Sequence, residues 1–265
     1  MKTVAFFGGK TVGAAVLKEL LSSSNIEVVS IVSNKSDLST DPKDSWFEKI
    51  HPLAKTRGIP YSTSFSAPSI PSNTDVVISA YYDKILPKSI LSLPAFGAYN
   101  VHLGDIRKYR GAFPTVWPVL RGDDFYGVSI HEMDSQIDHG RLVAFAEREF
   151  PCWYTGRDLY DDAVETATQL FKKLLPVLEF ANSKQDICLL DTLPADHEKR
   201  GNLYFRSDFP GHYLDKADSN LIRHVQALTF PPFPQPFVKL GNRFYTVKLS
   251  YDQENGNHND RHNSI

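Results

Sequence analysis

The chain has 265 residues, 42% of them hydrophobic and 23% charged, which is enough for one full domain and a smaller second one. Its formal net charge of −2 gives no global electrostatic case for nucleic-acid binding, and its two cysteines, Cys152 and Cys188, exclude a disulfide framework and a cysteine-based metal site. The first apolar run is too short for a signal peptide, and no run approaches the roughly 20 residues of a membrane helix. We therefore expect a cytoplasmic protein that binds no metal, membrane or nucleic acid.

The first half of the chain alternates strand and helix patterns. A helical pattern over residues 42–57 has Asp41 placed to cap it, and we expect Pro52 to kink or split this helix and Gly58 to end it. Strands separated by helices imply a parallel sheet with right-handed crossovers. The other predicted elements in this half are strands at 3–7, 26–32, 75–80 and 97–102 and helices at 12–21 and 88–93.

The second half predicts the end of a main domain and a smaller unit after it. Strands at 125–133 and 142–150 flank a polar loop at 134–140, and a helix at 158–180 closes the main domain, residues 1–180. The fold class is therefore α/β, with a Rossmann-like, mostly parallel sheet. Residues 181–251 are expected to form a small C-terminal β-rich subdomain with a hairpin of strands 237–240 and 244–249, and residues 252–265 a disordered tail.

A glycine loop, Gly-Gly-Lys-Thr-Val-Gly at residues 8–13, lies between the first strand and the first helix. Loops at this place bring backbone amides and a helix N-terminus toward anions. The spacing is not the Gly-x-Gly-x-x-Gly of dinucleotide-binding proteins, and no acidic residue directly follows the second strand. Three interpretations remain open: an NAD(P) site, a tight turn with no ligand, and a turn that approaches another phosphorylated ligand through Lys10.

Two polar stretches indicate chemistry. Asn100 and His102 share one face of a strand end, because side chains two residues apart in a strand point the same way, and Asp138 lies in the polar loop 134–140. A carboxylate near His102 would orient the ring, and the Asn100 amide could donate to an oxyanion, which together suits acyl transfer without an enzyme nucleophile. The alternative is structural: a hydrogen-bonded Asn-x-His pair and an aspartate that forms a turn.

Five stretches of the first 180 residues follow one another in an order typical of a known family: the loop at 80–87, Asn100-Val-His102, Tyr-Arg-Gly-Ala-Phe-Pro at 109–114, Gly-Val-Ser-Ile-His at 127–131 and Asp138-His-Gly140. With these motifs, residues 1–180 resemble the 10-formyltetrahydrofolate-dependent formyltransferases, whose members act on methionyl-tRNA, glycinamide ribonucleotide or nucleotide-linked sugars. The resemblance implies the formyltransferase fold and 10-formyltetrahydrofolate as cosubstrate. One departure is that the family commonly has His-Pro-Ser-Leu-Leu-Pro where this chain has His-Leu-Gly-Asp-Ile-Arg at residues 102–107, in a loop that shapes the acceptor site.

The resemblance also implies roles for individual residues. Asn100 would hold the tetrahedral oxyanion, His102 would take the amine proton or help to bind the oxyanion, and Asp138 would hold His102 and assist proton transfer to the departing folate nitrogen. His131 and His139 are interpreted as structural or supporting residues. Expected folate contacts are Tyr82, Asp83, Ile85, Leu86, Asp134 and Ile137, mostly through main-chain groups, and expected substrate contacts are Lys10, Tyr109, Arg110 and Gly111.

The segment after residue 180 resembles the sugar branch of the family. This implies an N-formyltransferase acting on a nucleotide-linked amino sugar, with dTDP-4-amino-4,6-dideoxyglucose as the first candidate, in bacterial surface polysaccharide (O-antigen) synthesis. Alternatives are a methionyl-tRNA formyltransferase-like enzyme and an inactive folate- or nucleotide-binding protein. The aromatic hairpin suggests a homodimer. Residues that either bind the nucleotide or serve packing and solvation are Arg107, Lys108, Arg110, Tyr204, Phe205, Phe230 and Phe233.

Overall fold

A computed structural model describes residues 1–64, 70–215, 219–240 and 242–249. The tail predicted at 252–265 lies outside the described residues. The strands of the described part are β1 Lys2–Gly8, β2 Ile26–Ser33, β3 Tyr61–Ser62, β4 Val76–Ala80, β5 Ala98–His102, β6 Tyr109–Gly111, β7 Phe125–Glu132, β8 Leu142–Glu149, β9 Asn202–Tyr204, β10 Tyr213–Leu214, β11 Phe237–Leu240 and β12 Arg243–Thr246. Its α-helices are α1 Lys10–Ser22, α2 His51–Arg57, α3 Lys88–Leu91, α4 Val116–Arg121, α5 Gly156–Phe180 and α6 Leu221–Leu228.

The central sheet has seven strands in the order β3-β2-β1-β4-β5-β7-β8. The pairs among β1 to β5 are parallel, whereas β7 pairs antiparallel with β5 and β8 antiparallel with β7. The mostly parallel α/β sheet is therefore confirmed. The strand order reverses direction at β1 and β4, and in an open α/β sheet the carboxyl ends of the strands at such a point border a ligand crevice.

The main core lies between one face of this sheet and helices α1 and α5. Leu17 and Leu20 of α1 and Phe171 and Leu174 of α5 are fully buried there. Helix α5 begins two residues before the predicted start, because Thr155 and Asp158 form a reciprocal capping box. The long helix therefore fixes one side of the sheet and leaves the carboxyl ends of the strands accessible.

The helix predicted over residues 42–57 is wrong in its first half. Asp41 caps only a short 3-10 turn, Pro42–Asp44, and the α-helix begins at His51. The carboxylate of Asp37 accepts the backbone N–H groups of Ile50 and His51 at 2.7 and 2.8 Å, which satisfies donors at the start of that helix. Pro52 consequently lies in the first turn, where its missing N–H costs nothing, instead of splitting a longer helix.

The segment after α5 contains a small sheet, β10-β11-β12, as expected, with β11 and β12 antiparallel. The second hairpin strand begins at Arg243 and ends at Thr246, which is earlier than predicted at both ends. Helix α6 and the parallel pair of β6 with β9 were not predicted. Because β9 adds to a strand of the first half, the chain after residue 180 returns to the main domain; the domain division itself stays a prediction.

The hairpin exposes large apolar side chains. Leu240, Phe244 and Tyr245 have 47, 64 and 44% of their surface accessible. The homodimer expected from this hairpin stays a prediction. Within the described ranges, no helix combines the length and the apolar character needed to cross a membrane.

The loop that departs from the formyltransferase pattern, residues 103–107, is fixed by its own ion pairs. Arg107 donates to both oxygens of Asp105, whose residue is only 2% exposed, with Nε–Oδ1 2.9 Å and Nη2–Oδ2 2.8 Å. The same guanidinium also binds Asp196 and lies 4.5 Å from the centre of the Phe145 ring. Asp105 and Arg107 thus stabilise this loop where the family commonly uses prolines.

Replacing Arg107 by leucine is expected to lower the free energy of unfolding by about 3 kcal/mol, because it leaves the buried Asp105 carboxylate without a partner. Urea denaturation followed by circular dichroism measures this change. The matched control is Lys43→Gln, which removes the exposed ion pair of Lys43 with Asp41 and should leave the denaturation midpoint unchanged. An Arg107 variant as stable as the wild type would contradict the role of this clamp.

Candidate active site

Asp138 reaches the end of β5 by a route that the sequence did not indicate. Because β7 runs antiparallel to β5, with His131 opposite Asn100, its carboxyl end does not lie beside the carboxyl end of β5. The two stretches therefore leave the sheet at opposite edges. The loop after β7 folds back across β5, and Asp138 takes a left-handed backbone angle, φ 45°, at the crossing.

The Asp138 carboxylate contacts four groups at once. Oδ1 accepts from the Asn100 amide at 3.2 Å and lies 3.2 Å from Nε2 of His131. Oδ2 accepts from the Gly111 backbone N–H at 2.8 Å and lies 3.4 Å from Nδ1 of His102. The structure thus brings the three predicted catalytic side chains together and adds a second histidine.

Hydrogen-bond partners define the tautomers of the two histidines. Nε2 of His102 lies 2.9 Å from the Tyr109 carbonyl oxygen, and Nδ1 of His131 lies 2.7 Å from the Glu132 carbonyl oxygen. A carbonyl only accepts, so each of these nitrogens carries a hydrogen. Each ring consequently turns its other nitrogen toward Asp138, and that nitrogen donates to the carboxylate when it is protonated.

The Asn100 amide is part of the same network. Its Nδ2 lies 3.4 Å from Nε2 of His131 as well as within hydrogen-bond distance of Asp138. The neutral His131 ring can accept from Asn100, and the protonated ring can donate to Asp138 instead. A change in the protonation of His131 therefore alters what holds Asn100.

Asp138 is held in its ionised form. Burial would by itself raise the pKa of this carboxyl group, since its side chain is only 11% exposed, but the neighbouring His102 and His131 and the Gly111 N–H hold the pKa well below its ordinary value. An ionised carboxylate between two imidazole rings can compensate a positive charge that forms on either ring, at a place that is nearly closed to water.

The strand Tyr109–Gly111 supports the catalytic residues directly. The Tyr109 carbonyl accepts from His102, the Arg110 guanidinium donates to the Ile137 carbonyl, and the Gly111 N–H donates to Asp138. The Tyr109 hydroxyl donates to Asp123 at 2.7 Å. The substrate contacts expected for these three residues stay predictions, whereas the hydrogen bonds that they make within the protein hold the site together.

Gly104 brings the unusual loop close to His102. A Cβ at this position would lie 2.7 Å from Nε2 of His102 and 2.5 Å from Cβ of Pro114. Because neither contact is sterically allowed, only glycine lets the backbone pass here with the ring in place. The sequence difference at residues 102–107 therefore reaches His102, the predicted catalytic histidine.

The two segments expected to contact folate converge on one small apolar cluster. Leu86 is buried in this cluster, and Tyr82 and Met133, each at the start of one of the two loops, pack against it. Asp134 organises the second loop by accepting from the Gln136 N–H and pairing with His139. Exposed loop residues such as Ile85 and Asp134 beside an apolar surface suit a flat heterocycle such as a pterin, whereas the contacts themselves stay predictions.

Lys10 lies where the strand order reverses. Its backbone has φ 59°, and its ammonium group lies 3.6 Å from the centre of the Phe47 ring and 3.9 Å from Asp44. Burial lowers the pKa of this lysine, and Asp44 opposes the effect. The half-buried Lys10 ammonium group, with the Asp44 carboxylate at some distance, is suited to bind a phosphate at the point where the strand order reverses. The interpretation of the glycine loop as a site for a phosphorylated ligand is therefore retained as a prediction.

The aromatic and basic residues that either bind the nucleotide or serve packing and solvation form two groups, those packed against other side chains and those at the surface. Tyr204 stacks on Trp117 with ring centres 4.3 Å apart, and Phe230 and Phe233 pack against Trp46 at 5.1 and 5.8 Å. Phe205 is 52% exposed. Arg107 is occupied by carboxylates, whereas Lys108 lines a cavity of about 420 Å³ together with Arg121, Lys199 and Arg200. In the described ranges, no three acidic, histidine or cysteine side chains are grouped to hold a metal ion.

Comparison with known proteins assigns the family. Residues 1–175 match the Formyl transferase family. The chain is similar to the methionyl-tRNA formyltransferase of Clostridioides difficile, at 26% identity over 69% of this chain and 62% of that protein. For four curated relatives that it matches, the chain spans between 27 and 62% of the relative's length.

Two solved structures share the fold. A sugar N-formyltransferase from a Shewanella species has a TM-score of 0.71 and 20% identity, with 94% of this chain and 98% of that chain covered. An N-formyltransferase from Helicobacter canadensis, solved with folinic acid and dTDP-3-aminofucose, has a TM-score of 0.67 and 19% identity, with 91 and 85% covered. Because the family match covers residues 1–175, the chain belongs to the formyl transferase family.

His131, expected from the sequence to be a structural or supporting residue, contacts both Asp138 and Asn100 with its ring. The alternation of side chains along β7 indicates such a role. His131 is a polar residue in the buried stretch Gly-Val-Ser-Ile-His, and its side chain faces the same way as that of Ser129. His139, by contrast, pairs with the exposed Asp134 and not with Asp138.

Replacing His131 by leucine is expected to lower kcat by about tenfold to hundredfold, because Asp138 and Asn100 lose a shared partner and shift from their positions. The KM values for both substrates should change little, and any acid limb that Asp138 contributes should move to higher pH, because His131 helps to hold the pKa of this carboxyl group low. Steady-state kinetics measures these parameters. His197→Leu, which removes a ring that pairs with the nearby Pro194 carbonyl, is the control, and equal activities of the two variants would contradict the assignment.

Proposed function

We propose that this chain is an N-formyltransferase that moves a formyl group from 10-formyltetrahydrofolate to the amine of a nucleotide-linked amino sugar. The observation that carries the proposal is the contact of one ionised carboxylate, Asp138, with both Asn100 and His102. An amide donor, an imidazole and a carboxylate with no enzyme nucleophile suit direct transfer of an acyl group between two amines.

The cosubstrate, when bound, supplies a formyl group on a nitrogen that leaves as an amine. The side chain of Asn100 has two N–H donors, so it can hold Asp138 with one and the oxyanion of the tetrahedral intermediate with the other. The reaction forms one carbon–nitrogen bond and breaks another. The proton lost by the attacking amine therefore has to reach the departing nitrogen.

The His102–Asp138 pair is suited to move that proton. The facing atoms, Nδ1 of His102 and Oδ2 of Asp138, are 3.4 Å apart, and the pair has few solvent contacts. Asp138 stays ionised and holds the proton-bearing ring, and the proton returns to the leaving nitrogen. Net charge in the site is the same before and after the reaction, which suits a buried pair.

A nucleotide-linked amino sugar is supported as the acceptor by three observations. The chain is covered almost throughout by the Shewanella sugar N-formyltransferase fold, Lys10 lies at the strand-order switch point, and a net charge of −2 disfavours a nucleic-acid substrate. The first candidate is dTDP-4-amino-4,6-dideoxyglucose. The formylated sugar would enter a bacterial surface polysaccharide.

Methionyl-tRNA is the second candidate acceptor. The observation that favours it is the sequence similarity to methionyl-tRNA formyltransferases, such as that of Clostridioides difficile. A basic surface is what tRNA binding requires, because phosphate contacts supply most of the affinity. The acidic balance of this chain therefore places tRNA second.

The test is turnover with defined acceptors. Purified protein is incubated with 10-formyltetrahydrofolate and a panel of nucleotide amino sugars, with methionyl-tRNA as a separate arm, and the formylated product is detected by mass spectrometry. Turnover of a sugar nucleotide supports the proposal. Turnover of methionyl-tRNA alone, or folate binding without any turnover, overturns it in favour of the second candidate or of an inactive binding protein.

Replacing Asn100 by alanine is expected to lower kcat by about 10² to 10³, the usual effect of removing one oxyanion donor. The protein should remain folded, because Asn100 is partly exposed and its removal leaves Asp138 with three other contacts. The exposed Asn182→Ala serves as the matched control. A near wild-type rate for Asn100→Ala would refute its role.

A further inference from the structure

The loop that carries Asp138 needs outside support. Asp138 is one of the few described non-glycine residues with a positive φ, a conformation that typically costs about 1–3 kcal/mol and persists only when its surroundings fix it. Its own carboxylate is engaged by catalytic partners. The backbone on either side of Asp138 therefore determines whether the carboxylate stays in place.

Two arginines bind main-chain carbonyls before and after Asp138 in the chain. Arg110 donates from Nε and Nη2 to the Ile137 carbonyl, at 3.1 and 2.8 Å. Arg200 donates from Nε to the His139 carbonyl at 2.6 Å and from Nη2 to the Gly140 carbonyl at 2.8 Å. The carbonyls immediately before and after Asp138 are thus each bound by a guanidinium group.

Both arginines are placed by one small sheet. In the parallel pair of β6 with β9, Arg110 lies opposite Leu203, and Leu203 follows Arg200 by three residues. Just before β9, the Gly201 N–H donates to the Ile106 carbonyl at 2.9 Å. A Cβ on Gly201 would lie 2.4 to 2.5 Å from the Lys108 backbone, so glycine is required for this close approach. Arg200 is therefore fixed against the loop by its neighbours.

We infer that Arg200 is a positioning residue for Asp138, supplied by a part of the chain that the family match at residues 1–175 does not include. The inference rests on the proposed function for its kinetic consequence. It also gives the C-terminal segment a task in catalysis: this segment completes the support of the active-site loop in addition to whatever it contributes to the acceptor site.

The electrostatics agree with a geometric role. Burial and the nearby charge of Arg110 lower the pKa of Arg200, so the two guanidinium groups are held together at a cost. The other nitrogen, Nη1, donates to the His197 and Lys199 carbonyls. A planar fork with donors in several directions can bind all these carbonyls at once, and the point charge of a lysine cannot.

The test is Arg200→Lys, with Arg200→Gln as a second variant. We expect kcat to fall about tenfold to hundredfold in both variants with little change in the two KM values, because a displaced Asp138 weakens the chemical step more than binding. Arg148→Gln, which removes an exposed arginine bound to Gln169, is the matched control and should keep wild-type activity. Arg200→Lys keeps the charge and much of the stem, so it separates geometry from charge.

A second readout needs no substrate. The Gly111 N–H donates to Oδ2 of Asp138, so its hydrogen exchange, followed by NMR, reports whether the carboxylate is in place. Faster exchange of this amide in Arg200→Lys, with an unchanged melting temperature, supports the inference even if no acceptor is turned over by the wild type. Wild-type exchange at Gly111 together with wild-type kcat in Arg200→Lys would overturn it.

Discussion

The ionised carboxylate of Asp138 is the interaction on which the site depends. It is the common partner of Asn100, His102 and His131, and each of these side chains comes from a buried strand that cannot move independently of the sheet. A buried carboxylate is costly unless hydrogen bonds and opposite charge compensate it. In this chain, the groups that compensate the Asp138 carboxylate are also those that the proposed reaction requires. Stability and catalysis therefore constrain one set of residues.

The surroundings of this carboxylate hold it and its partners in place. The Tyr109–Gly111 strand supplies a carbonyl to His102, a guanidinium to the Asp138 loop and an N–H to Asp138 itself. Arg200 adds the support from the C-terminal segment. The Tyr109–Gly111 strand, for which substrate contacts are expected, therefore also supports the predicted catalytic residues. The contacts that one strand can make at successive residues explain the spacing of this motif.

Local patterns in the sequence predicted much of the fold and selected three polar residues that the structure brings together, because strand periodicity, capping and the resemblance to formyltransferases are all readable along the chain. They failed where an outcome depended on long-range contacts. The helix start at His51 is determined by Asp37, and the antiparallel direction of β7 decides how Asp138 approaches β5. Arg200 carries no local signal at all, since its partners lie about 60 residues earlier.

The most direct test of this account is proton–nitrogen correlation NMR of the histidine rings, in the wild type and in Asp138→Asn, at neutral pH without ligands. The account predicts a hydrogen on Nε2 of His102 and on Nδ1 of His131 in the wild type. It also predicts that the signals of the opposite nitrogens, Nδ1 of His102 and Nε2 of His131, both shift in the variant. Reversed tautomers, or a variant in which either ring keeps its wild-type signals, would contradict the claim that one carboxylate organises the site.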